Sequence, residues 1–158
     1  PADQRAFLHD GLLILKAEEQ IGRDVLAQEG GEVQAKNKVI LATVKGDIHD
    51  IGKNIVKVLL ENYSFDVIDL GKDVPPEVIV DTAVEQDIRL VGLSALMTTT
   101  VVSMEETIKL LRERKPECKV MVGGAVLNQD YADMIGADFY GKDAMQSVYY
   151  AQRVFEEE

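Results

Sequence analysis

The chain has 158 residues, of which 46% are hydrophobic and 28% charged, and its net charge is −11. This size and composition suit one folded domain and exclude disordered, collagen-like and disulfide-scaffold classes. The acidic balance argues against nucleic acid as a partner, the short apolar runs predict no membrane-spanning helix, and a lone Cys118 suits a reducing, cytoplasmic location. Because the sequence opens on Pro1 rather than methionine, we expect it to be a fragment.

The first part of the chain predicts one amphipathic helix over residues 6–28. Apolar residues recur there at spacings of three and four, with charges between them. Gly30-Gly31 ends this helix and a polar connector follows. We therefore divide the chain into a helix and connector, residues 1–37, and a main domain, residues 38–158.

Beyond the connector, short apolar runs alternate with amphipathic stretches. Runs that are apolar throughout are typical of parallel strands covered by helices on both faces. The predicted strands are Val39–Val44, Asp66–Leu70, Leu90–Leu93, Lys119–Val122 and Asp138–Tyr140, and the predicted helices cover about 52–63, 76–86, 101–114, 128–135 and 143–156. Five β–α units in a row predict an α/β, flavodoxin-like (Rossmann-like) fold, a doubly wound five-stranded parallel sheet with strand order 2-1-3-4-5.

In such sheets a ligand binds beyond the carboxyl ends of the strands, at the point where the strand order reverses. With the predicted order, that point lies between strands one and three. The predicted ligand-binding loops are therefore 45–52, 94–100 and 123–127.

The first of these loops carries two glycines and one of the two histidines in the chain. A phosphate-binding P-loop has four residues between its glycines, followed by Lys and Ser or Thr. Here five residues separate Gly46 from Gly52, and Asn54 stands at the hydroxyl position. The dinucleotide fingerprint G-x-G-x-x-G is also absent, and Ser94 stands where a response regulator needs a phosphorylatable aspartate. All three of these functions are therefore disfavoured.

An Asp-x-His pair, Asp47 and His49, remains in this loop. Alternate residues of an extended segment can point the same way, so that Asp47 can hydrogen-bond one imidazole nitrogen and leave the other for a metal. One histidine without a nearby Cys/His cluster is too few to hold a bare zinc or iron ion. A single protein ligand suits a metal that arrives already chelated, as in a macrocycle.

Three motifs in register fall in the three selected loops, namely Asp47-x-His49-x-x-Gly52, Ser94-x-Leu96 and Gly123-Gly124. Together they resemble the cobalamin-binding signature of corrinoid-dependent methyltransferases, including methionine synthase, and of some mutases. The wider string over 42–56, with Asp69-Leu70-Gly71 and Val74-Pro75, looks like the methyltransferase branch. The resemblance covers residues 38–155.

The resemblance implies that a corrinoid, cobalamin or a relative in its methylcobalamin form, binds with its own lower base displaced. His49 would replace that base on cobalt, Asp47 would hydrogen-bond the imidazole, and Thr100 would complete the relay. The glycine pair would leave a slot for the displaced nucleotide tail, and we expect Gly124→Val to abolish binding while leaving the fold intact. The other residues implied to contact the cofactor are Gly46, Ile48, Asp50, Ile51, Gly52, Ser94, Leu96, Thr98, Gly123 and Ala125.

The implied function is that of a non-catalytic carrier, which moves a methyl group on cobalt between partner methyltransferase domains or subunits, as in methionine synthase. The alternatives are the corrinoid shuttle of a methanol, methylamine or aryl-ether demethylase system, an adenosylcobalamin mutase domain and a corrinoid sensor. The implied partners are methyl-donor and methyl-acceptor methyltransferases and a reductive activase. The leading helix resembles the remnant of a helical cap, and we expect it to pack on this domain or on a second copy in a homodimer.

Overall fold

Five parallel strands form one sheet in the computed structural model, which describes residues 37–156. The strands are β1 (Lys38–Val44), β2 (Asp66–Val74), β3 (Leu90–Ser94), β4 (Lys119–Gly123) and β5 (Phe139–Tyr140). The helices are α1 (Ile51–Asn62), α2 (Pro76–Glu85), α3 (Val101–Arg114), α4 (Gln129–Met134) and α5 (Ala144–Glu156), and a 3₁₀ turn (Thr98–Thr100) precedes α3. The strand order is β2-β1-β3-β4-β5, which confirms the predicted doubly wound α/β fold.

Alternate residues of β1 point into two separate cores. Ile40 and Ala42 pack into the core beneath α2 and α3, whereas Val39 and Leu41 pack into the core beneath α1 and α5. All four side chains are buried, because helices cover both faces of the sheet. The apolar strand pattern therefore follows directly from the three-layer architecture.

Strand β2 is longer than the sequence predicts. The predicted strand ends at Leu70, but pairing with β1 resumes after a bulge and continues to Val74. Gly71 makes the bulge possible, because its φ of +93° lies in the left-handed region that favours glycine. The extension carries the end of β2 over the loop that follows β1.

The predicted leading helix over 6–28 lies outside the described residues, and the division at residue 37 stays a prediction. Between residues 37 and 156, no helix combines the length and the apolar character that crossing a bilayer requires.

Cys118, the only cysteine, is fully buried in the core beneath α2 and α3. Burial raises the pKa of its thiol to about 12, because a thiolate would lose its hydration there.

We therefore expect the native protein to resist a chromogenic disulfide reagent at about pH 8, since the thiolate is the reactive form. After denaturation in guanidinium, one thiol per chain should react. Equal reaction rates before and after denaturation would contradict this.

Candidate functional site

The loops after β1, β3 and β4 meet at one edge of the sheet. The loop after β1 begins with a tight turn, in which the backbone N–H of Asp47 donates to the carbonyl of Val44 at 3.0 Å. Gly46 occupies this turn with a φ of +89°, in the left-handed region. The turn directs the Asp47 side chain back toward the loop that follows β3.

The carboxylate of Asp47 is completely buried and accepts donors from two loops. Its Oδ1 accepts the backbone N–H of His49 at 3.0 Å and lies 2.7 Å from His49 Nδ1. Its Oδ2 accepts the backbone N–H groups of Leu96 at 2.6 Å and of Met97 at 3.3 Å. The hydroxyl of Thr100 also donates to Oδ2, at 2.9 Å. The carboxylate thus joins the loop after β1 to the loop after β3.

This hydrogen bonding keeps Asp47 ionised. Burial alone would raise its pKa, because a charge is poorly solvated in the interior. The N–H groups of Leu96 and His49, with the side chains of His49 and Thr100, outweigh burial and hold the pKa of the Asp47 carboxyl well below its usual range. The buried group is therefore a fixed anion.

The imidazole of His49 is about half exposed, with 46% of its side chain accessible. Because a carboxylate can only accept, Nδ1 carries a proton, and in the neutral form of the ring the lone pair lies on Nε2. No residue of the described part of the chain hydrogen-bonds to Nε2. A carboxylate that fixes the tautomer in this way is the usual support of a metal-ligating histidine.

Thr100 ends the short 3₁₀ turn that leads into α3, and its side chain is buried. Its Oγ1 lies 2.9 Å from Asp47 Oδ2 and 2.7 Å from the carbonyl oxygen of Met97, so its single proton is shared between two acceptors. Asp47, His49 and Thr100, which the sequence predicts as a relay, are therefore hydrogen-bonded in series.

A cavity of about 300 Å³ opens next to these loops, between the sheet and helices α1 and α5. Five residues that the resemblance assigns to the cofactor line it, namely Gly52, Ser94, Gly123, Gly124 and Ala125. Leu96 and Thr98, which were predicted to line the slot, are exposed outside this cavity, so that their role stays a prediction.

The cavity is also lined by residues that sequence reasoning missed, because it considered only the three loops at the strand-order reversal. They are Lys53, Met121, Tyr140, Gly141, Lys142, Asp143, Ala144 and Ser147. In the sequence, Gly141 directly after the short β5 was the one signal that could have pointed to these lining residues. A Cβ at Gly141 would lie 2.5 Å from Ser147 Oγ, so a side chain there would displace the Ser147 hydroxyl that lines the cavity.

The backbone around Gly124 requires glycine, independently of any ligand. Its φ is +133°, and a Cβ there would lie 1.8 Å from the carbonyl oxygen of Ala95. The expectation that Gly124→Val leaves the fold intact is therefore wrong, because any side chain must push the loops after β3 and β4 apart. Gly123 is less constrained, since a Cβ there would be 3.6 Å from the nearest atom, the carbonyl oxygen of Gly141.

Exposed apolar side chains flank the imidazole in both loops. Ile48 and Ile51 are 64% and 60% exposed on either side of His49, and Leu96 and Met97 are exposed in the loop after β3. Asp50, half-buried, lies between the two isoleucines and precedes α1. Apolar surface of this kind around a polar group is typical of a binding face.

A buried ion pair holds the first turn of α1 against β2. Lys53 is 4% exposed, and its Nζ lies 2.5 Å from Asp69 Oδ1. Burial opposes ionisation of Asp69, but Lys53 and the N–H of Gly71 together lower the pKa of this carboxyl. The ion pair thereby fixes the first turn of α1, the helix that follows the His49 loop, against β2.

Within the described chain, no group of three or more His, Cys, Asp or Glu side chains could hold a bare metal ion.

The comparisons with known proteins identify similar proteins over most of the described chain. The model of the family described as the B12 binding domain matches residues 37–149. Dimethylamine corrinoid protein 1 of Methanosarcina mazei is 45% identical over 121 residues, which cover 75% of this chain and 56% of that protein.

Two solved structures share the fold. A novel cobalamin-binding protein from Desulfitobacterium hafniense matches with a TM-score of 0.73 and 40% identity, over 76% of this chain and 60% of that one. The methanol:cobalamin methyltransferase complex MtaBC of Methanosarcina barkeri matches with a TM-score of 0.77 and 31% identity, over 84% and 51%. The chain spans between half and two thirds of the length of each of these three proteins.

The depressed pKa of Asp47 predicts how its replacement affects stability at different pH. A carboxyl whose folded-state pKa lies below its unfolded value of about 3.9 stabilises the fold above that pH and loses this contribution as the pH falls through the folded-state value. At about pH 6 we expect Asp47→Asn to lower the free energy of unfolding by about 2 kcal/mol. The loss should shrink steadily below about pH 3.9.

Urea denaturation of both proteins across this range measures the difference. Asp66→Asn, at the exposed start of β2, is the matched control and should show a difference near zero throughout. An Asp47→Asn difference that does not change with pH would contradict the fixed anion.

Proposed function

The chain belongs to the B12-binding domain family, and from this premise we propose that it carries a methyl group on the cobalt of a bound corrinoid between partner methyltransferases. The family model matches about seven tenths of the chain, residues 37–149. The cofactor class is accordingly cobalamin or a related cobalt corrinoid. The carrier function is inferred from the site described above.

The residues present suit this cofactor. A corrinoid would bring cobalt that its macrocycle already chelates, so one protein ligand would suffice, and the site offers one imidazole with an available Nε2. When bound, the corrinoid would supply the methyl-transfer chemistry. His49 would hold the lower side of the metal, and Asp47 would keep the ring oriented and its proton on Nδ1.

The cavity beneath the loops suits the displaced nucleotide tail. It runs between the sheet and α1 and α5, and its walls combine apolar side chains with the hydroxyls of Ser94 and Ser147. The hydroxyl of Ser94 also lies 2.9 Å from Thr43 Oγ1, which fixes its position at the end of β3. The single observation that carries the proposal is an oriented, half-exposed imidazole in the loop that leads to Gly52, a residue that lines a cavity of about 300 Å³.

The names of the relatives favour a demethylation system over methionine synthesis. One relative is named for dimethylamine, and a structural neighbour belongs to a methanol:cobalamin methyltransferase complex. We therefore propose a methylamine or a similar small methylated compound as the methyl donor, with separate methyltransferases for donor and acceptor. A reductive activase as a further partner, a homodimer formed through residues 6–28 and a cytoplasmic location stay predictions.

Replacement of His49 tests axial ligation directly. We expect the wild-type protein to stay coloured after incubation with hydroxocobalamin and desalting. His49→Gln should retain the corrinoid but change its visible spectrum, because the imidazole ligand is lost. His9→Gln, the only other histidine, is the matched control and should leave the spectrum unchanged. Colourless wild-type protein, or an unchanged spectrum in His49→Gln, would rule out the proposed site.

Filling the cavity tests the tail slot without the backbone clash of Gly124. Ala144 lines the cavity from the first turn of α5. We expect Ala144→Leu to weaken hydroxocobalamin binding about tenfold or more, because the larger side chain occupies the space of the tail. Ala144→Ser, which keeps the cavity open, should bind like the wild type in an equilibrium titration. Equal affinities for Ala144→Leu and Ala144→Ser would show that the tail lies elsewhere.

A further inference from the structure

The bulged end of β2 contacts the histidine loop at two points. Asp73, near the end of the strand, accepts the backbone N–H of Gly46 at its Oδ1, at 2.7 Å. The backbone N–H of Asp73 donates to the carbonyl oxygen of Asp47, at 2.9 Å. One residue of β2 thus binds two successive residues of the turn that presents Asp47 and, two positions later, His49.

The backbone of Asp73 is strained. Its φ is +54°, a left-handed conformation that costs free energy for any residue with a Cβ. Glycine would adopt this conformation without strain but would leave the Gly46 N–H without its carboxylate acceptor. An aspartate at this position therefore strains the backbone, but it supplies the acceptor for the Gly46 N–H.

The turn needs such an external bond. Gly46 has a φ of +89° and no side chain to pack, so its own conformational preferences hold it only weakly. The bond to Asp73 fixes its N–H, and the second bond fixes the adjoining carbonyl of Asp47. The peptide that sets the direction of the Asp47 side chain is therefore held on both sides, and with it the oxygen that binds His49 Nδ1.

We propose that Asp73 is a positioning residue for the axial ligand of the corrinoid. It acts through Gly46 and Asp47 and keeps the His49 ring in one tautomer and one orientation. The inference rests on the proposed function for the identity of the ligand, but the contacts that carry it belong to this chain alone.

Two variants separate the acceptor from the strained backbone. Asp73→Asn keeps an acceptor oxygen and tolerates the left-handed conformation, whereas Asp73→Gly relieves the strain and removes the acceptor. Asp66→Ala, at the exposed start of the same strand, is the control. If Asp73 only shaped the backbone of β2, Asp73→Gly, which relieves the strain, should match the wild type in both measurements.

The first measurement uses the full chain without cofactor. Long-range ¹H–¹⁵N spectra of the imidazole, assigned with His49→Gln, report which nitrogen carries the proton. We expect the Nδ1–H form to persist in the wild type, Asp73→Asn and Asp66→Ala, and a mixture of tautomers in Asp73→Gly. Wild-type spectra in Asp73→Gly would overturn the proposal.

The second measurement uses the same proteins loaded with hydroxocobalamin. The visible spectrum gives the ratio of imidazole-coordinated to uncoordinated corrinoid, and we expect Asp73→Gly to lower this ratio about tenfold, as replacement of groups that support a metal ligand commonly does. Asp73→Asn should stay within about twofold of the wild type. Equal losses in Asp73→Asn and Asp73→Gly would overturn the proposal, because the acceptor would then not be what positions the ring. Failure of the wild type to bind hydroxocobalamin would refute the proposed function instead, and the spectra of the cofactor-free protein would still decide the role of Asp73.

Discussion

A buried anion with five hydrogen-bond contacts organises the site. The Asp47 carboxylate lies where no water solvates it, so its stability depends on donors from two separate loops. If either loop moved away, a buried charge would lose partners, which is costly in a protein interior. The carboxylate therefore binds the loop after β1 to the loop after β3 and orients the His49 ring at the same time.

Strand β2 supports this arrangement from the edge of the sheet. Two of its three carboxylates hold the histidine loop at opposite ends, Asp73 at Gly46 and Asp69 at Lys53. Asp69 pairs with Leu41 before the bulge, whereas Asp73 reaches Gly46 only because the strand continues beyond the bulge at Gly71. The edge strand β2 and the hydrogen bonds of Asp47 together thus determine where the imidazole lies.

The sequence predicts the sheet and the position of the site because both follow from repeated patterns. Continuous apolar runs specify parallel strands, and the strand order then selects the loops that contain Asp47, His49 and Thr100. The extension of β2 could not be predicted, since Gly71 and Asp73 read locally as a loop and pair with β1 only in three dimensions. The consequence of a side chain at Gly124 was also beyond local reasoning, because it depends on a carbonyl of another strand, that of Ala95.

A histidine that binds and releases a metal during a reaction cycle has to satisfy two opposed requirements. The ring must be accessible to the cofactor, yet it must not rotate among rotamers when its partner leaves, because reordering costs conformational entropy at each cycle. Half exposure of His49 meets the first requirement, and the fully buried Asp47 meets the second. Since the carboxylate is held by backbone N–H groups, which cannot change rotamer, the orientation of the imidazole is determined by the fold and does not depend on bound corrinoid. In the proposed carrier function, a domain with this construction would supply the same ligand geometry to its cofactor in every cycle.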